Sequence, residues 1–254
     1  MPPRFFIDTP ISPASDADAA ATNTELVLPP AAARHVQVLR LQPGSALTLF
    51  DGSGFEWPAE VLRIGRSEVA VLLQPRLQVE RELPHQVTLA LAMPANDRMD
   101  GVVEKATELG AAVVQPLMSE RSVLRLAAER AEKKVAHWQG VAVASCEQCG
   151  RSRLPVIAPV LTLAQWLKAL PPQPAEQRRW LLSPTAATPL PALALAQPEA
   201  LSTLVLSGPE GGLSAAEEEA ARAQGFEAVR LGPRILRADT APLAVLAWLA
   251  LQQV

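Results

Sequence analysis

The stretch SGPEGGLSAAEEE, residues 207–219, decides how the rest of the chain is read. Gly208, Gly211 and Gly212 fall within five residues, after the apolar run STLVLSG (202–208) and before a run with helical spacing. A strand, a glycine turn and a helix in that order often hold a phosphate at the helix N-terminus. Here that positive end is already answered. Ser214 and Glu217 have capping-box spacing, each side chain able to serve the other's backbone N–H. Glu218 and Glu219 add negative charge where the helix dipole favours it. A phosphate would meet like charge. The glycines are not followed by the Lys-Ser/Thr pair of nucleotide-triphosphate loops, and the dinucleotide spacing GxGxxG is absent. What remains is a turn whose glycines permit close backbone approach. Taken alone, it reads first as a tight strand-to-helix turn and second as a wall for a ligand without phosphates.

A second loop, LGPRILRADTAP (231–242), also follows an apolar run. Gly232-Pro233 forces a turn, Asp239 or Thr240 can cap the next helix, and Pro242 suits a first helical turn. That helix, LAVLAWLALQQ, is apolar on nearly every side, so it needs cover from a core or from a second subunit. Arg234 and Arg237 lie in the turn, at a strand's carboxyl end, where open α/β sheets bind ligands.

Outward from these loops the chain has two rhythms. Residues 1–75 carry short alternating runs, LVLP (26–29), ALTLFDGSG (46–54), WPAEVLRIG (57–65) and EVAVLLQP (68–75), with turn residues such as Asp51-Gly52, Gly54 and Gly65 between them. They predict a small antiparallel β domain or barrel with one helix near PPAAARHVQVLR. Residues 76–254 alternate buried strands, VTLALAMP (87–94), AVVQPL (112–117), RRWLLSP (178–184), STLVLSG and EAVRLG (227–232), with helices over 97–110, 129–150 and 163–170, after the glycine loop and at the C-terminus. That alternation predicts a parallel sheet covered on both faces. The proline-rich segments 171–177 and 183–200 read as surface loops.

The 254 residues are 49% hydrophobic and 19% charged, enough for a sizeable core. No apolar run is long enough for a membrane span, and MPPRFFIDTP lacks a secretory pattern, so a cytoplasmic protein is expected. The formal net charge is −3. Residues 1–75 hold five Lys/Arg against eight Asp/Glu, whereas 121–153 hold seven against three. That basic stretch is either an interaction surface or a solvated helix face. Cys146 and Cys149 form one CxxC at a helix end, not the helix start that redox use requires. No further ligand set accompanies them, so no metal is expected.

SGPEGGLS, LGPRILRADTA, EKATELG (104–110), SERS (119–122) and ASCEQCGR (144–151), in chain context with RFF (4–6) and HVQVLR (35–40), resemble the bacterial 16S ribosomal RNA uracil-N3 methyltransferase family of the SPOUT superfamily. The resemblance spans essentially the whole chain and implies an α/β protein. A PUA-like β-barrel (1–75) would precede a SPOUT domain (76–254) with a parallel sheet and a C-terminal trefoil knot. It implies S-adenosylmethionine among three loops. Leu182 and Ser183 would come from the first, Gly208, Glu210, Gly211 and Gly212 from the second, and Leu231, Gly232, Ile235 and Leu236 from the third. It implies a homodimer through the C-terminal domain, acting on 16S rRNA or the small ribosomal subunit; another RNA such as tRNA, or a non-catalytic docking module, is the alternative.

Methyl transfer to uracil N3 requires loss of the imide proton and in-line placement. Arg237 is the first candidate to stabilise the imidate and Arg4 the second. Asp239 stands where the family has Glu; the shorter carboxylate favours capping or hydrogen bonding, with a base role left open. Glu210 is expected to brace its loop by accepting backbone N–H bonds. Arg4, Arg34, Arg40, Arg121, Arg125 and Arg151 are the candidate RNA cations.

Overall fold

A computed structural model describes residues 2–11, 24–66, 68–95, 98–196 and 199–252. Asp16 and Asp18, two of the eight acidic residues of 1–75, and Asp97, at the start of the helix expected over 97–110, lie outside these residues. The chain divides into Met1–Glu82 with Cys146–Leu154, and Leu83–Ser145 with Pro155–Val254.

The first unit contains β1 (Arg4–Phe6), β2 (Thr24–Val27), α1 (Pro30–Val38), β3 (Ala46–Phe50), β4 (Phe55–Ile64), β5 (Val69–Leu73) and β6 (Leu77–Gln78). The sheet order is β1-β3-β4-β5-β2, with β6 on β4. The pairs are antiparallel except β1–β3, which is parallel, a departure from the all-antiparallel expectation. The reason lies in the connection. Parallel neighbours need a long crossover, and the chain between β1 and β3 holds β2 and α1. Alternation then sends Leu47 and Leu49 of β3, Trp57, Ala59 and Val61 of β4 and Val69 and Val71 of β5 inward, against Ala32, Ala33 and Val36 of α1.

The second unit contains β7 (Gln86–Ala92), α2 (Arg98–Glu108), β8 (Val113–Met118), α3 (Ala128–Cys149, through Ser145), β9 (Val156–Ile157), β10 (Leu161–Thr162), α4 (Leu163–Ala169), β11 (Gln177–Leu182), α5 (Leu190–Leu195), β12 (Ser202–Ser207), α6 (Ala215–Ala223), β13 (Glu227–Val229) and α7 (Thr240–Leu251). Its seven-stranded sheet runs β10-β8-β7-β12-β11-β13, with β9 on β8, and every named pair is parallel.

The two-residue period of the strands splits their side chains between two cores. Leu89, Leu91, Trp180 and Val205 pack with Met99, Val102, Val103 and Ala106 of α2, Trp138 and Ala142 of α3, and Val245, Leu246 and Leu249 of α7. Ala90, Leu181, Leu204 and Leu206 pack on the other face with Leu163, Trp166 and Leu167 of α4, Ala221 of α6 and Phe226. Helices thus cover both faces, as the near-continuous apolar strands require.

One proline-rich segment is not the surface loop its composition suggested. Residues 190–195 form α5, with Leu190, Leu193 and Ala194 buried. Prolines at the helix entry cost nothing, because the first turn has no N–H partners to lose. The i, i+3, i+4 spacing of the buried three supplies the apolar stripe.

Candidate active site

Strands β11, β12 and β13 are neighbours, and their carboxyl ends open on one side of the sheet. Three segments leave there, 182–185, 207–213 and 229–238, and line one cleft of about 610 Å³. All ten residues expected to surround a cofactor line it: Leu182, Ser183, Gly208, Glu210, Gly211, Gly212, Leu231, Gly232, Ile235 and Leu236. Arg237 lines it too, as do Arg98, Arg121, Thr185, Glu218 and Arg234.

The glycine loop owes its shape to local chemistry. The N–H of Gly212 donates to the carbonyl of Pro209 at 2.8 Å, and Gly212 has φ +68°, a left-handed backbone that glycine adopts without strain. At Gly208 a β-carbon would stand 3.0 Å from the nitrogen of Leu213 and 3.1 Å from the carbonyl carbon of Gly212, so the turn itself excludes a side chain. The capping box forms in full. Glu217 N donates to Ser214 Oγ at 3.2 Å and Ser214 N donates to Glu217 Oε2 at 2.9 Å. The other Glu217 oxygen accepts from Glu120 N at 2.8 Å, joining the β8–α3 connection to the start of α6. Arg121 finishes the brace, donating to Gly211 O at 2.9 Å and Leu213 O at 3.3 Å. Its guanidinium is therefore a strut of this loop as well as part of the cleft lining.

Glu210 does accept a backbone N–H, from Ala95 at 3.0 Å, which ties the glycine loop to the β7–α2 connection. Its Oε1 also lies 3.6 Å from Nη1 of Arg98, and the same nitrogen lies 3.9 Å from Oδ2 of Asp239. Sequence reading missed Arg98. It is the first residue of α2, more than a hundred positions from either partner, and nothing local marks it. Asp239 does not cap α7 with its side chain. Its φ −80°, ψ −30° is already helical, whereas a capping residue needs extended backbone to reach back to the N–H groups. The carboxylate faces Arg98, and Thr240 Oγ1 donates to it at 3.3 Å. Glu218 Oε1 lies 3.5 Å from Ser183 Oγ, and its other oxygen accepts from Arg222 at 2.7 Å. Arg237 is exposed, and among the described residues no hydrogen bond or ion pair holds its guanidinium. The lining thus combines the carboxylates of Glu210 and Glu218 and the hydroxyls of Ser183 and Thr185 with the guanidiniums of Arg98, Arg121, Arg234 and Arg237.

A family model for an RNA methyltransferase domain matches residues 81–250, and one for an RNA methyltransferase PUA domain matches 28–74. The chain is 35% identical to ribosomal RNA small subunit methyltransferase E of Synechocystis sp. over 83% of its length and 67% of the relative's. It is 31% identical to the Bacillus subtilis protein of that name, over 85% and 86% of the two chains. The chain belongs to the ribosomal RNA small subunit methyltransferase E family. A crystal structure of the Neisseria gonorrhoeae methyltransferase E bound to S-adenosyl methionine superposes with TM-score 0.87 at 31% identity, covering 99% of this chain and 98% of that one. A Legionella pneumophila protein solved in complex with the same cofactor gives TM-score 0.87 at 30% identity, with the same coverage. The α/β class with a small β domain ahead of a parallel sheet holds.

The remaining candidate cations fall in different settings. Arg34 and Arg40 of the first unit are exposed. Arg34 lines a second cavity of about 470 Å³ with Gln37 and Arg66, and Arg40 carries φ +53° just past α1. Arg125 is exposed and donates to Glu120 O at 2.9 Å. Arg4 and Arg151 require correction. Both are buried. Arg4 donates to Glu56 Oε1 at 2.6 Å, to Arg151 O at 3.1 Å and to Ser152 Oγ at 3.3 Å, while Arg151 pairs with Glu82. Arg81 and Ser152 also donate to Glu56, the latter at 2.7 Å. Burial and these partners engage both guanidiniums within the first unit, which leaves neither exposed to RNA phosphates in this structure. Cys146 and Cys149 form no disulfide; the neighbouring Cys149 and burial push the Cys146 thiol far up, so it stays protonated. No group of three or more metal-ligating side chains occurs among the described residues.

Proposed function

We propose that this protein transfers the methyl group of S-adenosylmethionine to N3 of one specific uridine in the 16S rRNA of the small ribosomal subunit. The observation that carries this reading is the convergence of three strand-end loops on one cleft whose lining includes Arg237, a guanidinium that no described residue engages. The residues fit the cofactor. The lining residues Ser183 and Thr185 can offer hydroxyls to a ribose, Leu231, Gly232 and Leu236 backbone groups to an adenine edge, and no helix N-terminus is left open for a phosphate, which this cofactor lacks. When bound, S-adenosylmethionine supplies a methyl group on a positively charged sulfur.

The protein's own task is then to make uracil N3 a nucleophile and to aim it. The imide N3–H lone pair is delocalised, so the proton has to leave. Arg237 stabilises the negative charge that develops on the uracil carbonyl oxygens, a role suited to a guanidinium with no competing partner. Asp239, two residues on, receives the imide proton directly or through one water. Arg34, Arg40, Arg121 and Arg125 contact phosphates and set the register of the RNA. Flipping brings the uridine to the cleft. The acidic balance of residues 1–75 favours docking on an assembled small subunit over adhesion to naked RNA.

We also infer a homodimer through the C-terminal domain, because α7 is apolar throughout and leaves Leu251 74% exposed. A knotted path for the last segments of the second unit and a cytoplasmic location complete the reading; among the described residues no helix is long and apolar enough to cross a membrane. Calorimetry tests the cofactor assignment. S-adenosylmethionine is expected to bind and ATP not to; tight ATP binding without S-adenosylmethionine binding overturns the proposal.

A further inference from the structure

The geometry points to Arg98 as a positioning residue that ties together the loops bearing Glu210 and Asp239; this rests on the methyltransferase reading above. Nη1 of Arg98 is 3.6 Å from Glu210 Oε1 and 3.9 Å from Asp239 Oδ2. One cation therefore stands between two carboxylates, one in the glycine loop that lines the cleft and one at the start of α7, just past the third loop. Both distances exceed hydrogen-bond length, so the link is electrostatic and tolerates small loop movements. All three side chains are about one-third exposed, with side-chain exposures of 35%, 36% and 28%. Water screens them only in part.

Arg98 has a firm base for this role. It is the first residue of α2, whose Met99, Val102, Val103 and Ala106 are buried in the core. Three residues upstream, the N–H of Ala95 donates to the same Glu210 oxygen that Arg98 faces. Glu210 is thus gripped from one connection by a dipole and a charge. Asp239 has no capping bond to restrain it, so among the described residues Arg98 and Thr240 are the side chains that fix its direction. Without the guanidinium, two like charges would face each other across the cleft mouth with nothing between them. The loops would separate, and Asp239 would lose its aim beside Arg237.

The test compares Arg98→Ala and Arg98→Lys with wild type, using purified protein, S-adenosylmethionine and small subunits as substrate. The readouts are single-turnover methylation rate, cofactor Kd by calorimetry, and Tm. Misplacing a catalytic group by about 1 Å costs on the order of 100-fold in rate. Arg98→Ala is expected to lose 10- to 100-fold in methylation rate by that reasoning, with Kd changed less than about threefold and Tm held. Arg98→Lys keeps the charge and is expected to recover to within about fivefold of wild type. An Arg98→Ala protein as fast as wild type overturns the proposal. So does equal loss in both variants with a matching fall in Tm, which would make Arg98 a packing residue. Wild type that methylates no uridine would instead overturn the function itself, and the two failures are told apart in the same assay.

Discussion

Gly208→Ala is predicted to damage cofactor binding more than Gly212→Ala, although Gly212 has the unusual backbone. At Gly212 the added methyl meets nothing within 4 Å, so its cost is conformational. A left-handed φ of +68° costs an alanine about 1 kcal/mol, or roughly fivefold in the population of the competent loop. At Gly208 the backbone is unremarkable but the space is gone. The methyl would lie 3.0 Å from Leu213 N, 3.1 Å from Gly212 C and 3.2 Å from Leu213 Cγ. Ordinary carbon contacts are about 3.5–4.0 Å, so each falls short by several tenths of an ångström. The Leu213 side chain can rotate away, but the two backbone atoms cannot move without opening the turn closed by Gly212 N and Pro209 O. Overpacking of this kind costs about 1–3 kcal/mol, and a backbone clash belongs at the upper end, near 100-fold in Kd. Calorimetry with S-adenosylmethionine reads both variants, with a thermal melt to confirm that the sheet is intact. A Gly208→Ala protein that binds within about twofold of wild type, or a reversed order, would show that this loop does not wall the cofactor.

Three other outcomes are expected. Glu56→Ala should destabilise the first unit by about 3–5 kcal/mol in urea unfolding, because it leaves the buried guanidinium of Arg4 unpaired. Burial alone would raise the Glu56 pKa, but Ser152, Arg4 and Arg81 together hold it below the ordinary carboxylate range. Its stabilisation is therefore complete above that range and is lost as pH falls through the depressed value. Glu56→Gln should flatten this acid limb, and an unchanged limb would contradict the assignment. Leu251→Glu at the exposed end of α7 should convert a dimer to a monomer by light scattering, and a wild type already monomeric at micromolar concentration refutes the dimer.

Much of the architecture was legible because it rests on local pattern. VTLALAMP and STLVLSG are apolar at consecutive positions over 89–93 and 204–206, as a strand buried on both faces requires, and they became β7 and β12 side by side in the sheet. Ser214 and Glu217 announce a helix start through side chains three residues apart, and both bonds form. Helix α5 was hidden because proline carries a breaker's reputation that does not apply at a helix entry. The parallel β1–β3 pair depends on where the chain returns, not on alternation. In the cleft, the glycine and arginine loops could be read because each sits beside its own strand end. Arg98 could not, since its partners at 210 and 239 are brought to it only by the sheet order. Arg4 and Arg151 were misread for a related reason. A guanidinium looks the same in sequence whether it meets water or the distant carboxylates Glu56 and Glu82. Asp239 invited a capping role by position, and only its backbone angles show that the role is unfilled.

Primer extension on 16S rRNA is the most direct measurement of the central claim. Small subunits from a strain lacking this protein are copied by reverse transcriptase before and after incubation with purified protein and S-adenosylmethionine. A methyl group at uracil N3 blocks the Watson–Crick edge and halts the polymerase. The account predicts one new stop beside a single uridine. It also predicts no stop with Arg237→Ala, even though that variant binds S-adenosylmethionine within about threefold of wild type. An unchanged stop pattern with the wild-type protein would contradict it.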